Sequence, residues 1–396
     1  PLVDTSGMPL AAAGVPAAYG SDDGMIVYDD GTDVASSAYQ GYSGPKTPLG
    51  RDLSDAQGWP DVAVTRGHLA IDPLLGRLKF YGGGEPELVG SWDLSSGHFP
   101  DGVDVQGDYA YFTDWIRGLD IVDISDPTNP QGVGNIYVPG NGMDVIVEGD
   151  YAYTTMKGGG LCIFDVSEPG APVWIGHAEA EPGEQELALH LYKDGDLVYV
   201  ADEHLGVPIY NVSTPSAPHK IGSIPISYAE SVYIQGDYAY VTGGNLGLQV
   251  YNVSTPSAPF WVGGLDKIGY SYDVAVQGDY AYVAEGPSGL RVVNISDTSH
   301  PVHVTLVGTT TEAYDIRLTN GCAYIGERGD PGHLEVFGLS DPEAPVLLKR
   351  YTSAKRIAGV CPVGPLVYAA GFSEGALVIA PNLSEAPAGP LTVDYN

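Results

Sequence analysis

Positive charge is what this chain has least of. Its 396 residues hold 17 Lys and Arg against 50 Asp and Glu, a formal net charge of −33. Such a surface repels the phosphates of nucleic acid and anionic lipid head groups, which removes both from the expected partners. It favours cations, basic partners or a salty medium. Cysteine is also scarce. Cys162, Cys322 and Cys361 are the only three, and none has metal-ligand spacing. Cys322 and Cys361 fall in neighbouring repeats, and their pairing stays open, because a disulfide needs Cα atoms within about 7 Å. No run approaches the ~20 apolar residues of a membrane span, and no amphipathic run has helical spacing. Gly371-Phe-Ser-Glu-Gly375 has the Gly-x-Ser-x-Gly spacing but no helical run after it, so it makes no nucleophile elbow, and there is no Walker loop or Cys-x-x-Cys-His haem site.

What the chain does have is repetition. Gly107-Asp-Tyr-Ala-Tyr111 returns at Gly149, Gly236 and Gly278, and as Gly195-Asp-Leu-Val-Tyr199. Weaker copies start at Gly321, Gly364 and Gly67. A period of about 40–46 residues fits a four-stranded propeller blade. One repeat runs from Asp273-Val-Ala-Val276 through a turn at Gly278-Asp279 to Tyr280–Ala284, then Leu290–Asn294 and Val302–Val307. These are four short strands, A to D, with Gly, Pro or Asp at each break. No such sheet buries both faces alone, whereas a closed radial stack does. The fold class is therefore all-β, a propeller of four-stranded blades.

Eight blades are favoured, with seven as the alternative. The eighth copy is read from Asp61–Val64, His68–Asp72, Gly76–Phe80 and Pro86–Val89. The last sheet is then completed by Leu391–Val393 or by Met25–Tyr28. Residues 1–60 form an N-terminal extension and 61–396 the propeller.

Strand C opens on leucine: Leu119-Asp-Ile-Val-Asp123, Leu161-Cys-Ile-Phe-Asp165, Leu248-Gln-Val-Tyr-Asn252, Leu290-Arg-Val-Val-Asn294 and Leu377-Val-Ile-Ala-Pro381. The turns after it read Ile124-Ser-Asp-Pro-Thr-Asn-Pro130 and Val212-Ser-Thr-Pro-Ser-Ala-Pro218. In these residues the chain, over about 61–381, resembles the LVIVD-repeat proteins, relatives of YVTN-type surface propellers. The resemblance implies an exported protein, extracellular or on a cell surface. The start at Pro1 rather than Met is read the same way, as a processed N-terminus. The family offers no common catalytic set to carry over.

Site candidates are positional. Asp61, Asp101, Asp144, Glu230, Asp273 and Asp315, with His190, stand at the start of strand A, and rotation would gather them at one mouth of the channel. The last copy offers Lys355 and Arg356 there. Converging carboxylates suit Ca²⁺, which takes six to eight oxygens; equally, each could bond to neighbouring backbone N–H groups. The B–C loops add Asp114, Asp202, Glu203, Glu285, Glu327, Asp330 and Glu374, with Trp115, His204 and Phe372, on the same face. His190 beside Asp144 or Glu230 would make a base–carboxylate pair, and His300-Pro-Val-His303 is a metal hint. Asn211, Asn252, Asn294 and Asn382 meet the glycosylation rule, although Asn and Ser are turn formers as well. The tyrosines of the Asp-Tyr-Ala-Tyr strands are expected to pack between blades.

Two functions follow. The first is an exported, non-enzymatic propeller acting as a structural or binding module toward a protein or surface glycan. The second is a Ca²⁺-dependent extracellular hydrolase or lactonase with its site at the channel mouth. Residues 1–24, poor in large apolar side chains, are expected to order through self-association in a homo-oligomer.

Overall fold

The computed structural model describes residues 67–72, 77–82, 85–92, 99–178, 187–265 and 269–383. The chain divides into two units, residues 1–85 with 382–386, and 86–381 with 387–396. In the first, Gly67–Asp72 pairs antiparallel with Arg77–Gly82, and Asn382 Nδ2 donates to the Glu85 carbonyl at 2.8 Å. Asp61, the self-association segment 1–24, Met25–Tyr28 and Leu391–Val393 lie outside the described residues.

The second unit contains seven four-stranded antiparallel sheets. Their inner strands, A, are Pro100–Gln106, Asn141–Glu148, Ala188–Asp194, Ser231–Gln235, Asp273–Gln277, Glu312–Thr319 and Gly359–Val363. Each inner strand packs on the next, and Gly359–Val363 packs on Pro100–Gln106, which closes the ring. The expectation of eight blades is thereby corrected to seven. The reason lies in the stretch taken as the D strand of an extra blade. Glu87–Trp92 pairs with Ala376–Ala380, so it is the outer strand of the seventh sheet. Glu87–Trp92 thus stands where the sequence led one to expect Leu391–Val393 or Met25–Tyr28.

Gly90 shows how the closing strand is seated. A Cβ there would lie 2.2 Å from the Pro127 carbonyl oxygen of the first blade. Gly134 meets Pro169, and Gly176 meets Pro215, in the same way at 2.1 and 2.0 Å. The close approach of an outer strand to its neighbour's Pro turn is thus a repeated joint, and Gly90 joins the last blade to the first by it.

The A–B turns set the register of the channel. Gly107, Gly149, Gly195, Gly236, Gly278 and Gly364 have positive φ and the residue after each Gly, Asp in five cases and Pro365 in the last, does not, which fits two-residue type II′ turns. The sixth blade instead turns on Asn320-Gly321, both with positive φ, as a type I′ turn. Its first turn residue is therefore Asn320, one position earlier than the glycine match suggests.

The second and third strands of a blade, such as Tyr109–Asp114 and Gly118–Asp123, are buried almost continuously, because both faces of the sheet are covered. The last tyrosine of each motif is buried between blades: Tyr111, Tyr153, Tyr199, Tyr240, Tyr282, Tyr324 and Tyr368. Cys322 and Cys361 are free thiols. Burial pushes them up to about 11 and about 12, so neither is a reactive thiolate. At the C–D turns the Asn211 side-chain oxygen Oδ1 accepts from the backbone N–H and hydroxyl of Ser213, as Asp165 Oδ1 accepts from those of Ser167. Asn252 and Asn294 repeat that bond. Asn and Asp thus serve this turn alike.

Candidate functional site

Counting five residues back from the first turn residue of each blade gives Gly102, Asp144, His190, Ser231, Asp273, Asp315 and Gly359. At this level each aspartate ties two blades together. Asp144 accepts from Val145 N–H in its own strand at 2.9 Å and from Leu191 N–H in the next at 3.1 Å. Asp273 does the same with Val274 and Ile316, at 2.8 and 2.9 Å. Asp315 accepts from Val360 N–H at 2.7 Å. Ser231 fills its own place by donating to Asp273 at 2.5 Å. Gly359, whose Cβ would lie 2.4 Å from the Asp101 carbonyl oxygen, lets two inner strands close together.

Two cations face these carboxylates. Arg317 rises from the sixth inner strand, with its guanidinium 2.9 Å from Asp315, 3.3 Å from Asp273 and 3.8 Å from Asp144. His190 Nδ1 lies 3.4 Å from Asp144, and ligand atoms of His190, Asp273 and Asp315 lie within 4.8 Å of one another. Burial opposes a charged imidazole here, but the hydrogen bond to Asp144 and the charges of Asp273, Asp144 and Asp315 raise His190 to about 9. It is therefore an imidazolium at neutral pH and has no free lone pair for base catalysis. Burial also pushes Asp144 up, yet His190 and Arg317 outweigh it and hold that carboxyl below its ordinary value. Burial, opposed by Arg317 and reinforced by Asp273, lifts Asp315 to about 7. Asp144, Asp273 and Asp315, three of the six acids expected to converge on Ca²⁺, thus face a guanidinium and an imidazolium. A narrow cleft, with room for about one water, is bounded by Asp144, His190, Asp315 and Arg317 together with Asp101 and Tyr314.

One residue earlier on the strands the character changes. Here stand Asp101, Glu230, Tyr272 and Tyr314, so the six expected carboxylates do not share one ring. A step of one residue reverses the direction of a strand side chain. Asp101 and Glu230 accordingly leave the ion network for the mouth. Trp115 Nε1 donates to Asp101 Oδ2 at 3.0 Å, and the Tyr270 hydroxyl donates to Glu230. Burial, more than Glu203, raises Glu230 against that hydrogen bond.

Two arginines join this layer. Arg328 ends the second strand of the sixth blade, its Cζ 3.1 Å from the Tyr314 ring centroid and 5.9 Å from that of Tyr272. Arg356 precedes the seventh inner strand, 3.6 Å from the Phe372 centroid and 5.1 Å from that of Trp115. Phe99 packs on Phe372 at 4.6 Å. Buried atoms without a hydrogen-bond partner gather here: Arg328 Nε, Arg356 Nε and Nη2, and Asp101 Oδ1. The Arg328 guanidinium is 3.9 Å from that oxygen, within ion-pair range and beyond hydrogen-bond length. Burial, and Arg328 nearby, lower the Arg356 pKa, with Asp101 opposing.

The acidic B–C loops are largely internal. Asp114 accepts from the backbone N–H groups of Phe99, Ile116 and Arg117, and Asp202 from those of Leu187, His204 and Leu205. Glu285 holds the buried Arg291 in a two-pronged ion pair at 2.6 and 2.7 Å, and Glu327 accepts from Thr311. Glu203, Asp330 and Glu374 remain at least partly exposed. His300 is exposed beside Asp297, while His303 is bonded to Arg291, so the two do not converge. Sequence reasoning passed over Arg317 and Arg328. The signal was there: with so few basic residues, an arginine within or ending a strand is out of place.

Residues 100–137, 139–179, 192–224, 227–266 and 268–309 match the LVIVD repeat, one match to each of the first five blades. The chain belongs to the LVIVD-repeat family. In this LVIVD propeller the name motif is the third strand of a sheet, so the match specifies the blades and leaves the mouth residues unassigned. No curated protein matches the chain. Among solved structures the propeller is similar to the computationally designed Ika8 protein, with TM-score 0.55 and 9% identity over 74% of this chain and 99% of that one. It is also similar to the β-propeller domain of Myceliophteria thermophila Cps50 (Swd1), with TM-score 0.58 and 11% identity over 74% and 99%. At such identities the likeness is one of fold.

Proposed function

We propose that this LVIVD propeller is a binding module that takes its ligand at the channel mouth, on the face where the inner strands begin. The observation that carries this reading is the set of buried, unpartnered polar atoms on Arg328, Arg356 and Asp101 among aromatic rings. Buried polar groups are satisfied in most folded proteins, and those that are not are candidates for a ligand's atoms. Seven rigid sheets hold these groups in place, which limits the ordering cost of binding. A setting outside the cell, the self-association of the chain and a protein or glycan partner belong to the same proposal. The family resemblance supports the setting outside the cell, and the composition of residues 1–24, poor in large apolar side chains, supports the self-association.

The hydrolase alternative has less to stand on. Its base candidate, His190, is held positive by Asp144, Asp273 and Asp315. Trp115 provides the test, because it touches Asp101 and lies near Arg356. A panel of neutral, acidic and basic saccharides, peptides and nucleotides is titrated against the full chain while tryptophan emission is followed. A saturable change that survives Trp261→Phe and disappears in Trp115→Phe supports the mouth as the site. If no compound of any charge perturbs Trp115, the reading is overturned.

A further inference from the structure

The unsatisfied atoms at the mouth are not all of one kind, and their mixture defines what fits them. Arg328 Nε and Arg356 Nε and Nη2 are donors that need an acceptor, and Asp101 Oδ1 is an acceptor that needs a donor. Asp101 is only 3% exposed, so water reaches it poorly. Its other oxygen is already engaged by Trp115. A plain anion would satisfy the arginines and be repelled by Asp101. A neutral polyol would satisfy Asp101 and leave two guanidinium groups short of charge. A molecule with a carboxylate and a neighbouring hydroxyl satisfies both. Its single negative charge is also easier to place beside Asp101 and Glu230 than a phosphate dianion.

The walls narrow the class further. Trp115, Phe372, Tyr314 and Tyr272 surround the two guanidinium groups. Aromatic surfaces of this kind suit the C–H faces of a sugar ring. Elsewhere in the second unit, the buried Arg291 has its guanidinium paired with Glu285 and His303, and Arg350 is paired with Glu335. The arginines at the mouth thus differ from these in having buried N–H groups left over.

Resting on the binding reading above, we infer that the ligand is an acidic saccharide, one uronate residue of which enters the mouth with its carboxylate between Arg328 and Arg356 and a ring hydroxyl on Asp101. Two charge-assisted contacts hold the carboxylate. The hydroxyl contact then separates a uronate from a simple carboxylate. Arg317, already surrounded by Asp144, Asp273 and Asp315, stays out of the contact.

The test is calorimetric titration of the full chain with trigalacturonate, with galactotriose as the neutral counterpart, and with poly-glutamate and acetate as carboxylates without a hydroxyl or a sugar ring. Trigalacturonate should bind, more weakly in about 0.5 M salt. Galactotriose, poly-glutamate and acetate should bind at least roughly tenfold less well. Arg328→Gln and Arg356→Gln should each cost roughly tenfold or more, the loss expected for a charge-assisted hydrogen bond. Lys220→Gln, on an outer strand, should change nothing. Arg356→Lys should recover part of the loss, and a melting scan of each variant shows that it is folded. Equal binding of galactotriose, tighter binding of poly-glutamate, or unchanged binding in both arginine variants overturns the inference. If trigalacturonate fails while another compound still perturbs Trp115, the uronate falls and the binding module stands. If nothing perturbs Trp115, both fall.

Discussion

Arg317 and Asp144 meet across the ring, although one rises from the sixth inner strand and the other from the second. The guanidinium also reaches Asp273 and Asp315, so a single side chain joins three blades through charge. Arg317→Met should cost roughly 3 kcal/mol, the lower end for breaking a buried pair, because Arg317 keeps 35% of its side chain exposed. The vacated charge also has a chemical consequence. Millimolar Ca²⁺ should raise the melting temperature of the Met variant by several degrees and leave the native chain almost unmoved. Calorimetric melting with Ca²⁺ and with chelator checks both; a native chain that responds as strongly as the variant refutes the point.

His190 gives the fold a basic limit. Its folded pKa of about 9 lies above its ordinary 6.5. Its contribution is fully present below about 6.5 and is lost as pH rises through 9. The native chain should exceed His190→Gln in stability by on the order of 2 kcal/mol at pH 6, with the gap shrinking toward pH 10. Urea unfolding at both ends of this range measures it, and a gap independent of pH would contradict the assignment.

Glu327 works with the same sign and an opposite practical result. Burial, and the charge of Glu335, push it up to about 7 against hydrogen bonds from Thr311. Folding therefore favours its protonated form, and this contribution is present below the ordinary value near 4.5 and lost through 7. Glu327→Gln imitates the protonated acid. It should be the more stable protein at pH 8, by on the order of 2 kcal/mol, and equal to the native chain at pH 4.5. Melting curves of the pair across that interval decide it.

The closing strand can be tested directly. Gly90→Val places a Cβ where only 2.2 Å separates it from the Pro127 carbonyl oxygen, and should cost about 3 kcal/mol, the upper end for overpacking. Gly308→Val is the comparison: its Cβ would meet nothing within 4 Å and its φ is ordinary, so it should change stability by no more than about 0.5 kcal/mol. A chain of residues 86–396 should melt cooperatively, whereas one starting at residue 93 should expose the edge of Ala376–Ala380 and aggregate. Light scattering of the two truncations distinguishes them.

The blade was legible because Gly-Asp-Tyr-Ala-Tyr carries its own physics: a glycine with positive φ, then a strand whose second tyrosine is buried. The blade count was not. Glu87–Trp92 is largely exposed like the other outer strands, and nothing local says which sheet it completes; only pairing with Ala376–Ala380 does. The site was half legible. Counting from the glycine turns led toward the inner-strand acids, but a one-residue step separates Asp144 from the position of Asp101. In the sixth blade, Asn320 takes the place of the turn glycine, which hides the alignment of Asp315. Arg317, Arg328 and Arg356 lie at three different positions along their blades, so no repeat could announce them.

Glu87–Trp92 is also made first and used last. During synthesis it leaves the ribosome before any of the seven inner strands, while its partner Ala376–Ala380 follows only after the other six sheets. Until then the early segment is an unpaired edge, held against a gap in the ring. Pairings so distant in sequence are slow to form and open to competition from neighbouring chains. The seal that makes the finished disc continuous therefore sets its vulnerable interval, and refolding yield should fall with protein concentration long before equilibrium stability changes.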